Sequence, residues 1–269
     1  MSIKSFLKRF KKVELRAINT PVLMTNLLSG HRALIIGGCG GIGFEIAKAF
    51  QKSDCNIMIT GTNKEKLEKA YAQLNNCEFY EIDCNHITSM LHSLDHIYSS
   101  HDYNIDIVVY AAGIHGPSNF FEITEKDFDD VISVNLKGMF FVNQCVGNLM
   151  KSHAIKGHIL NISSASALKN GVTPYEISKN AVESLIKGSA QRLIPYGIVV
   201  NGLGPGPVAT KMLGRDNNDI FCEENPSKRM ATAQEIANWA VLLCSSISDL
   251  VVGETFYVTG GSGNLYIDR

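Results

Sequence analysis

The 269-residue sequence contains no uninterrupted apolar run near the roughly 18 residues that a membrane-spanning helix requires. The sequence also lacks an excess of positive charge. Its 25 basic and 26 acidic residues nearly balance, which argues against a nucleic-acid binder that relies on phosphate contacts. The seven cysteines form no Cys-x-x-Cys pair and no His/Cys cluster at zinc spacing. We therefore predict reduced thiols, a cytoplasmic location and no structural metal.

From residue 32 onward, short β-branched apolar segments alternate with helical patterns. Strands are predicted at residues 33–38, 56–61, 78–83, 105–111, 157–163, 198–203 and 255–258. Helices are predicted at residues 41–52, 63–75, 87–100, 125–151, 174–193 and 233–245. Strands separated by helices of this length imply right-handed crossovers between parallel strands. The sequence thus predicts an α/β fold: one Rossmann-like, doubly wound parallel sheet of about seven strands, with helices on both faces.

Residues 1–30 differ from the rest of the chain. Apolar residues recur there at helical spacing between basic ones, as in Ile3, Phe6, Leu7, Phe10, Lys4, Lys8, Lys11 and Lys12. A basic amphipathic helix of this kind can lie on an anionic membrane, bind a partner's groove or direct the chain to an organelle. We favour packing on its own domain or on a sister subunit, with membrane contact as the weaker alternative.

A glycine-rich turn joins the first predicted strand to the first predicted helix, Gly37-Gly38-Cys39-Gly40-Gly41-Ile42-Gly43. This is the context that a dinucleotide-binding fingerprint requires. Gly37 permits the tight turn, while Gly41 and Gly43 let the backbone approach a pyrophosphate and let the helix pack on the sheet. A merely tight turn is the simpler explanation, but the density of glycine argues against it.

The segment Tyr175-Glu176-Ile177-Ser178-Lys179 places a phenol and an ammonium group one helical turn apart, on the same helix face. A phenol is a poor acid at neutral pH unless a nearby cation stabilises its phenolate, and Lys179 can supply that cation. Ser164, which we prefer to its neighbour Ser163, can hold a substrate oxygen beside the phenol. Alone, the Tyr–Lys spacing is weak evidence. Combined with the glycine-rich turn, it predicts an oxidoreductase.

With these motifs the chain resembles short, single-domain members of the short-chain dehydrogenase/reductase family, and it is similar to their 3-ketoacyl-carrier-protein reductase branch. The resemblance runs from about Ser29 to the C-terminus. Two positions depart from the family pattern: Ile36 replaces a hydroxyl residue, and Tyr110-Ala111 replaces paired asparagines. The matching segments are Gly37 with Gly41-Ile42-Gly43, Glu81-Ile82-Asp83-Cys84, Ala112-Gly113, Val134-Asn135-Leu136-Lys137-Gly138, Gly204-Pro205-Gly206-Pro207-Val208-Ala209-Thr210, Ala233-Gln234-Glu235-Ile236-Ala237, and Gly253-Glu254-Thr255 with Val258-Thr259-Gly260-Gly261.

The resemblance implies catalytic roles for four side chains. Tyr175 would give a proton to the carbonyl oxygen as hydride arrives from a nicotinamide, or take one in the reverse direction. Ser164 would polarise that oxygen, Lys179 would lower the tyrosine pKa and hold the ribose, and Asn135 would anchor a proton relay. The cofactor contacts that it implies are Gly37, Gly41, Ile42, Gly43, Asp83, Ala112, Gly113, Lys179, Pro205, Gly206, Val208 and Thr210. Thr62 is a further candidate contact because of its place at the end of the second strand. We accordingly divide the chain into an extension over residues 1–30 and a dinucleotide-binding and catalytic domain over residues 31–269.

The end of the second strand bears on the choice of cofactor. An NAD enzyme normally places a carboxylate there, which binds both ribose hydroxyls and repels a 2′-phosphate. Here no carboxylate occurs before Glu65, and Thr62, Asn63 and Lys64 offer donors and positive charge instead. We therefore predict a preference for NADP(H), with NAD(H) as the alternative.

These features predict an NAD(P)-dependent enzyme that interconverts a small-molecule carbonyl and alcohol. One alternative is a catalytically silent nucleotide-binding scaffold or sensor. Another is a sugar-nucleotide epimerase or dehydratase, although only eight residues follow Gly261. The short polar segment between Thr210 and Ala233 is the expected substrate lid. Through its long helices at 125–151 and 174–193, the protein is expected to form a homo-oligomer, a tetramer or a dimer.

Overall fold

The computed structural model describes residues 25–75, 77–210 and 219–265. Most of the basic extension, at residues 1–24, and part of the expected substrate lid, at 211–218, lie outside these ranges. Seven strands form one parallel sheet in the order β3-β2-β1-β4-β5-β6-β9. They are β1 (Arg32–Ile36), β2 (Asn56–Gly61), β3 (Cys77–Glu81), β4 (Ile107–Tyr110), β5 (Gly157–Ile162), β6 (Ile198–Pro205) and β9 (Thr255–Val258). Two short strands, β7 (Val208–Ala209) and β8 (Ala231–Thr232), pair separately.

Helices cover both faces of the sheet. They are α1 (Gly41–Lys52), α2 (Lys64–Tyr71), α3 (Ile87–Ser100), α4 (Glu125–Ile132), α5 (Met139–Ser152), α6 (Pro174–Leu193) and α7 (Ala233–Leu243). Alternate residues of β1 enter two separate cores, because successive side chains of a strand point to opposite faces. Ile35 packs with α1, α2 and α7, whereas Leu34 packs with α3, α5 and α6. The predicted doubly wound parallel sheet is confirmed.

The predicted helix at 125–151 is interrupted. A π-helical segment, Ser133–Gly138, connects α4 to α5. Such segments widen a helix by one residue per turn and often occur at functional sites. The difference matters because the segment carries Asn135.

The predicted helix at 63–75 begins as expected and ends early. Asn63 caps it by accepting a hydrogen bond from the Lys66 N–H at 2.9 Å. The helix stops at Tyr71, whose side chain is exposed, whereas Leu67, Ala70 and Leu74 are buried. The first described residues also pack on the sheet: Leu28 is fully buried in the core that α1 covers.

Several strand ends differ from the predicted bounds by one or two residues, in both directions. Within the described ranges, no helix is long and apolar enough to cross a membrane.

Candidate active site

The strand order changes direction between β1 and β4, and the loops after these two strands meet at the carboxyl edge of the sheet. In open α/β sheets, ligands bind in the crevice at this switch point. The glycine-rich turn follows β1, and Ala112-Gly113 follows β4. Both predicted segments therefore lie at the expected place.

The glycine turn leaves no room for side chains at two positions. A Cβ on Gly37, which has φ +81°, would lie 2.7 Å from the Ala112 nitrogen. One on Gly43 would lie 2.3 Å from the Gly37 oxygen. One on Gly41 would touch the Thr210 Cγ2 atom at 3.1 Å, so the loop after β6 closes the same cradle. Since α1 begins here without a side-chain cap, its first N–H groups fit a pyrophosphate.

The remaining predicted cofactor residues lie along the same edge. Thr62 is exposed just after β2. Asp83 follows β3, where its carboxylate accepts the Asn85 N–H at 2.9 Å. Pro205 ends β6, and the N–H of the next residue, Gly206, bonds the Val258 carbonyl at 3.0 Å. The last three are Ile42 in the first turn of α1, Val208 in β7 and Gly113 after β4.

The positive charge of Lys66, in the first turn of α2, acts on a cysteine of the glycine turn. A Cβ on Gly61 would lie 2.4 Å from the Cys39 sulfur, so the end of β2 touches the turn. Burial raises the pKa of the Cys39 thiol, and the positive charge of Lys66 opposes that rise. Lys64, which the sequence suggested, lies in the same first turn of α2 as Lys66.

Asn135 is fully buried and clamps the loop after β4. Its Oδ1 accepts the Ile114 N–H at 2.9 Å, and its Nδ2 donates to the Ile114 carbonyl at 2.9 Å. The same Nδ2 lies 3.3 Å from the Ser178 hydroxyl oxygen on α6. One amide therefore holds the β4 loop against the helix that carries the predicted catalytic pair.

Tyr110, one of the two departures from the family pattern, is fully buried at the end of β4. Its hydroxyl donates to the Val134 carbonyl at 2.6 Å. Val134 belongs to the π-helical segment, so this bond braces the turn next to Asn135. Ile36, the other departure, is buried in the core that α3, α5 and α6 cover.

Tyr175 lies at the start of α6, where Thr173 and Glu176 form a capping box around Pro174. Its phenol lies close enough to the Ser164 hydroxyl to interact with it. Burial raises the pKa of Tyr175, and the interaction with Ser164 opposes this rise. The neighbouring serine takes a different partner, because Ser163 donates to the Glu183 carboxylate.

Lys179 is only 4% exposed, and its ammonium donates to the Ile162 carbonyl at 2.8 Å. The ammonium nitrogen lies 5.7 Å from the centre of the Tyr175 ring. Burial lowers the pKa of Lys179 to about 8, and the negative charge of Glu183 opposes the fall. Lys179 is thus near the Tyr175 phenol, but its ammonium bonds the carbonyl at the end of β5. Burial is the largest influence on the pKa of the phenol and raises it.

Two residues at this site carry no sequence motif. The His115 ring stacks on the Tyr175 ring, with centroids 4.5 Å apart and planes inclined by 25°. Glu183, one turn after Lys179, also accepts a hydrogen bond from the Tyr257 phenol on β9. Only the folded loop and the β5–β6–β9 pairing bring these groups to the site.

A separate cavity of about 380 Å³ lies between α7 and the end of β9, lined by Arg229, Glu235, Trp239 and Val258 among others. None of the predicted catalytic residues lines it.

Comparisons with known proteins agree with this geometry. Residues 37–263 match a family model described as enoyl-(acyl carrier protein) reductase. Gluconate 5-dehydrogenase of Gluconobacter oxydans is 32% identical over 248 residues, which cover 87% of this chain and 95% of that protein. A 3-oxoacyl-(acyl-carrier-protein) reductase of Aquifex aeolicus is 29% identical, with 87% and 98% covered. A crystal structure of gluconate 5-dehydrogenase from Burkholderia cenocepacia, in complex with NADP and tartrate, superposes with a TM-score of 0.80 at 28% identity, covering 90% of this chain and 99% of that one.

The parallel sheet, the glycine cradle and the convergent serine, tyrosine and lysine define a Rossmann-like oxidoreductase. The chain belongs to the short-chain dehydrogenase/reductase family. It is therefore an enzyme that interconverts a carbonyl and an alcohol with a nicotinamide cofactor.

Proposed function

We propose that the protein is an NADP(H)-dependent reductase of a small ketone, with Tyr175 as its acid and base. The observation that carries this proposal is the interaction between the Tyr175 phenol and the Ser164 hydroxyl at the carboxyl edge of the sheet. A carbonyl oxygen placed between these hydroxyls accepts from both. The reduced nicotinamide supplies the hydride when bound.

Tyr175 then gives its proton to the oxygen as negative charge develops there. The raised pKa keeps the phenol protonated in the reduction direction, as a proton donor must be. Ser164 holds the oxygen and stabilises its developing charge. This intact set of groups argues against the alternative of a catalytically silent nucleotide-binding scaffold or sensor.

Lys179 and Asn135 have supporting roles in the proposal. With a pKa of about 8, Lys179 carries its positive charge at neutral pH and stabilises a phenolate on the adjacent ring. It also holds the ribose hydroxyls. Asn135 fixes the Ile114 backbone on one side and Ser178 on the other, and it anchors the proton relay.

The preference for NADP(H) has two supports. No carboxylate stands at the end of β2 to repel a 2′-phosphate, and Lys66 supplies a positive charge close to the glycine turn. The Burkholderia protein, which is similar over nearly the whole length, was crystallised with NADP. We assign the 2′-phosphate to the surface between Thr62 and Lys66.

We further propose a homo-oligomer, a tetramer or dimer, that buries the outer face of α4, α5 and α6. Large apolar side chains are exposed on these helices and the loop before them: Phe120, Phe121, Phe128, Phe140 and Ile177. Phe121 alone is 91% exposed, which is costly for a lone subunit in water. A cytoplasmic location is proposed as well, since all seven cysteines are free thiols.

Purified protein tests the function directly. NADPH and NADH are titrated at matched ionic strength, and turnover is measured on 5-keto-D-gluconate and on an acetoacetyl thioester. We expect tighter NADPH binding and turnover of at least one ketone. Tyr175→Phe should reduce turnover by at least about 10²-fold, the lower range for general acid catalysis, and leave NADPH binding nearly unchanged. Near-normal turnover in this variant would overturn the mechanism.

A further inference from the structure

His115 occupies a defined position over the predicted proton donor. Its ring lies nearly parallel to the Tyr175 ring at a centroid distance of 4.5 Å. The loop that carries it is held on both sides. Asn135 bonds both backbone groups of Ile114, and a Cβ on Gly116 would lie 2.6 Å from a Val131 methyl carbon. The stacked arrangement is therefore built into the fold.

The backbone also selects the tautomer of the imidazole. His115 Nδ1 lies 3.1 Å from the Gly116 carbonyl oxygen. A carbonyl oxygen only accepts hydrogen bonds, so Nδ1 carries the hydrogen. In the neutral ring, Nε2 is then an acceptor, and it has no hydrogen-bond partner within the part of the chain that the structure describes.

Two stacked rings thus present different chemistry side by side. The Tyr175 phenol donates to the carbonyl oxygen that reacts, while His115 offers an acceptor nitrogen on a ring whose centre lies 4.5 Å from the centre of the Tyr175 ring. With hydrogen-bond arms of about 2.8 Å each, two groups at this spacing can address oxygens on adjacent carbons. A hydroxyl satisfies the acceptor, whereas an unsubstituted methylene of an acyl chain leaves it without a partner.

We propose that His115 is a substrate-recognition residue whose Nε2 accepts a hydrogen bond from a hydroxyl on the carbon next to the reacting carbonyl. This inference rests on the proposed function and names its substrate class: hydroxyketones, such as keto sugar acids. The relatives include both gluconate dehydrogenases and acyl-carrier-protein reductases, and His115 favours the first chemistry for this chain.

The test compares two ketones and three proteins. 5-Keto-D-gluconate carries hydroxyls on both carbons beside its ketone, whereas an acetoacetyl thioester carries none. His115→Phe keeps an aromatic ring against Tyr175 and removes the acceptor. His153→Phe is the matched control, because His153 stacks on Tyr103 at 3.6 Å, outside the site.

We expect the wild type to prefer the hydroxyketone. His115→Phe should lower kcat/KM for the hydroxyketone by about tenfold, the loss that one hydrogen bond produces. It should change kcat/KM for the thioester by less than about twofold. His153→Phe should change neither value.

Equal losses on both substrates, no loss on the hydroxyketone, or a wild type that prefers the thioester would each overturn the inference while leaving a reductase in place. No turnover of either ketone by the wild type would instead overturn the proposed function, and this inference with it.

Discussion

The Tyr110 hydroxyl and the Val134 carbonyl are joined by a buried hydrogen bond of 2.6 Å. The bond links the end of β4 to the π-helical segment that carries Asn135. It also depends on Gly138, where a Cβ would lie 2.7 Å from the Tyr110 oxygen. A tyrosine and a glycine that are far apart in the chain therefore hold the predicted catalytic asparagine in place.

Tyr110→Phe should destabilise the protein by about 1–3 kcal/mol, because it leaves a buried carbonyl without its donor. The variant should also lower kcat, since the π-helical turn next to Asn135 loses its brace. Urea denaturation and steady-state kinetics on the same preparation check the two effects.

Tyr98→Phe provides the control for this variant. Tyr98 is also fully buried, but its hydroxyl has no hydrogen-bond partner among the described residues. Its removal should leave the free energy of unfolding unchanged within about 0.5 kcal/mol, or raise it. If both variants lost a similar free energy of unfolding, the Tyr110 hydrogen bond would contribute nothing to stability beyond the presence of a buried hydroxyl.

Gly43→Ala should abolish tight cofactor binding. The new Cβ would lie 2.3 Å from the Gly37 oxygen, so the glycine turn must open. Because alanine has a higher helix propensity than glycine, a loss of NADPH affinity cannot be attributed to helix propensity. We expect NADPH affinity, measured by calorimetric titration, to fall at least tenfold, about 1.4 kcal/mol.

Gly40→Ala is the matched change in the same turn. Its Cβ would meet the Gly37 oxygen only at 3.6 Å, an ordinary contact, and its φ of -101° suits any residue. Affinity should remain within about twofold of wild type. If both variants bind NADPH alike, the close approach at Gly43 does not shape the cradle.

Local signals made some elements predictable to the residue. The helix at 174–193 was predicted with its observed bounds, because Pro174 at the first position and the Thr173–Glu176 capping box lie within the segment itself. The π-helical interruption was not predictable in this way. It coincides with the bond between Tyr110 and Val134, which lie 24 residues apart.

The site shows the same division. Spacing brought Ser164, Tyr175 and Lys179 into one prediction, and the family resemblance added Asn135. The structure places the first three together and bonds Asn135 to Ser178 on the helix that carries Tyr175 and Lys179. His115 and Glu183 belong to no spaced motif, and only the tertiary fold reveals them. Lys64, the sequence-based choice, and Lys66, whose charge acts on Cys39 in the glycine turn, lie in the same first turn of α2.

Lys66→Ala should weaken NADPH binding about fivefold, or about 1 kcal/mol, the range of an exposed charge pair. NADH binding should not change, because NADH lacks the 2′-phosphate. The effect should shrink as salt concentration rises. Fluorescence titration of both cofactors at matched ionic strength measures it.

Lys64→Ala removes the same charge from the same turn of α2 and serves as the control. It should leave both affinities within about twofold of wild type. A larger NADPH defect in Lys64→Ala than in Lys66→Ala would return the phosphate contact to the residue that the sequence suggested.

Glu183→Gln should move the alkaline limit of activity to lower pH. Burial lowers the pKa of Lys179 to about 8, and the carboxylate of Glu183 opposes that fall. The glutamine removes the opposing charge, so the ammonium loses its proton at a lower pH than in the wild type. Ser163 and Tyr257 also bond this carboxylate, and a glutamine oxygen still accepts from both.

The measurement is kcat/KM for ketone reduction across the pH range from 6 to 10, where activity should fall as Lys179 deprotonates. Glu254→Gln, an exposed carboxylate beside β9, removes the same formal charge and should leave the profile in place. A profile in Glu183→Gln that coincides with wild type would show that this carboxylate does not set the charge on Lys179. A move to higher pH would contradict the sign of the interaction, because loss of a negative neighbour cannot raise the pKa of an ammonium group through Coulomb attraction.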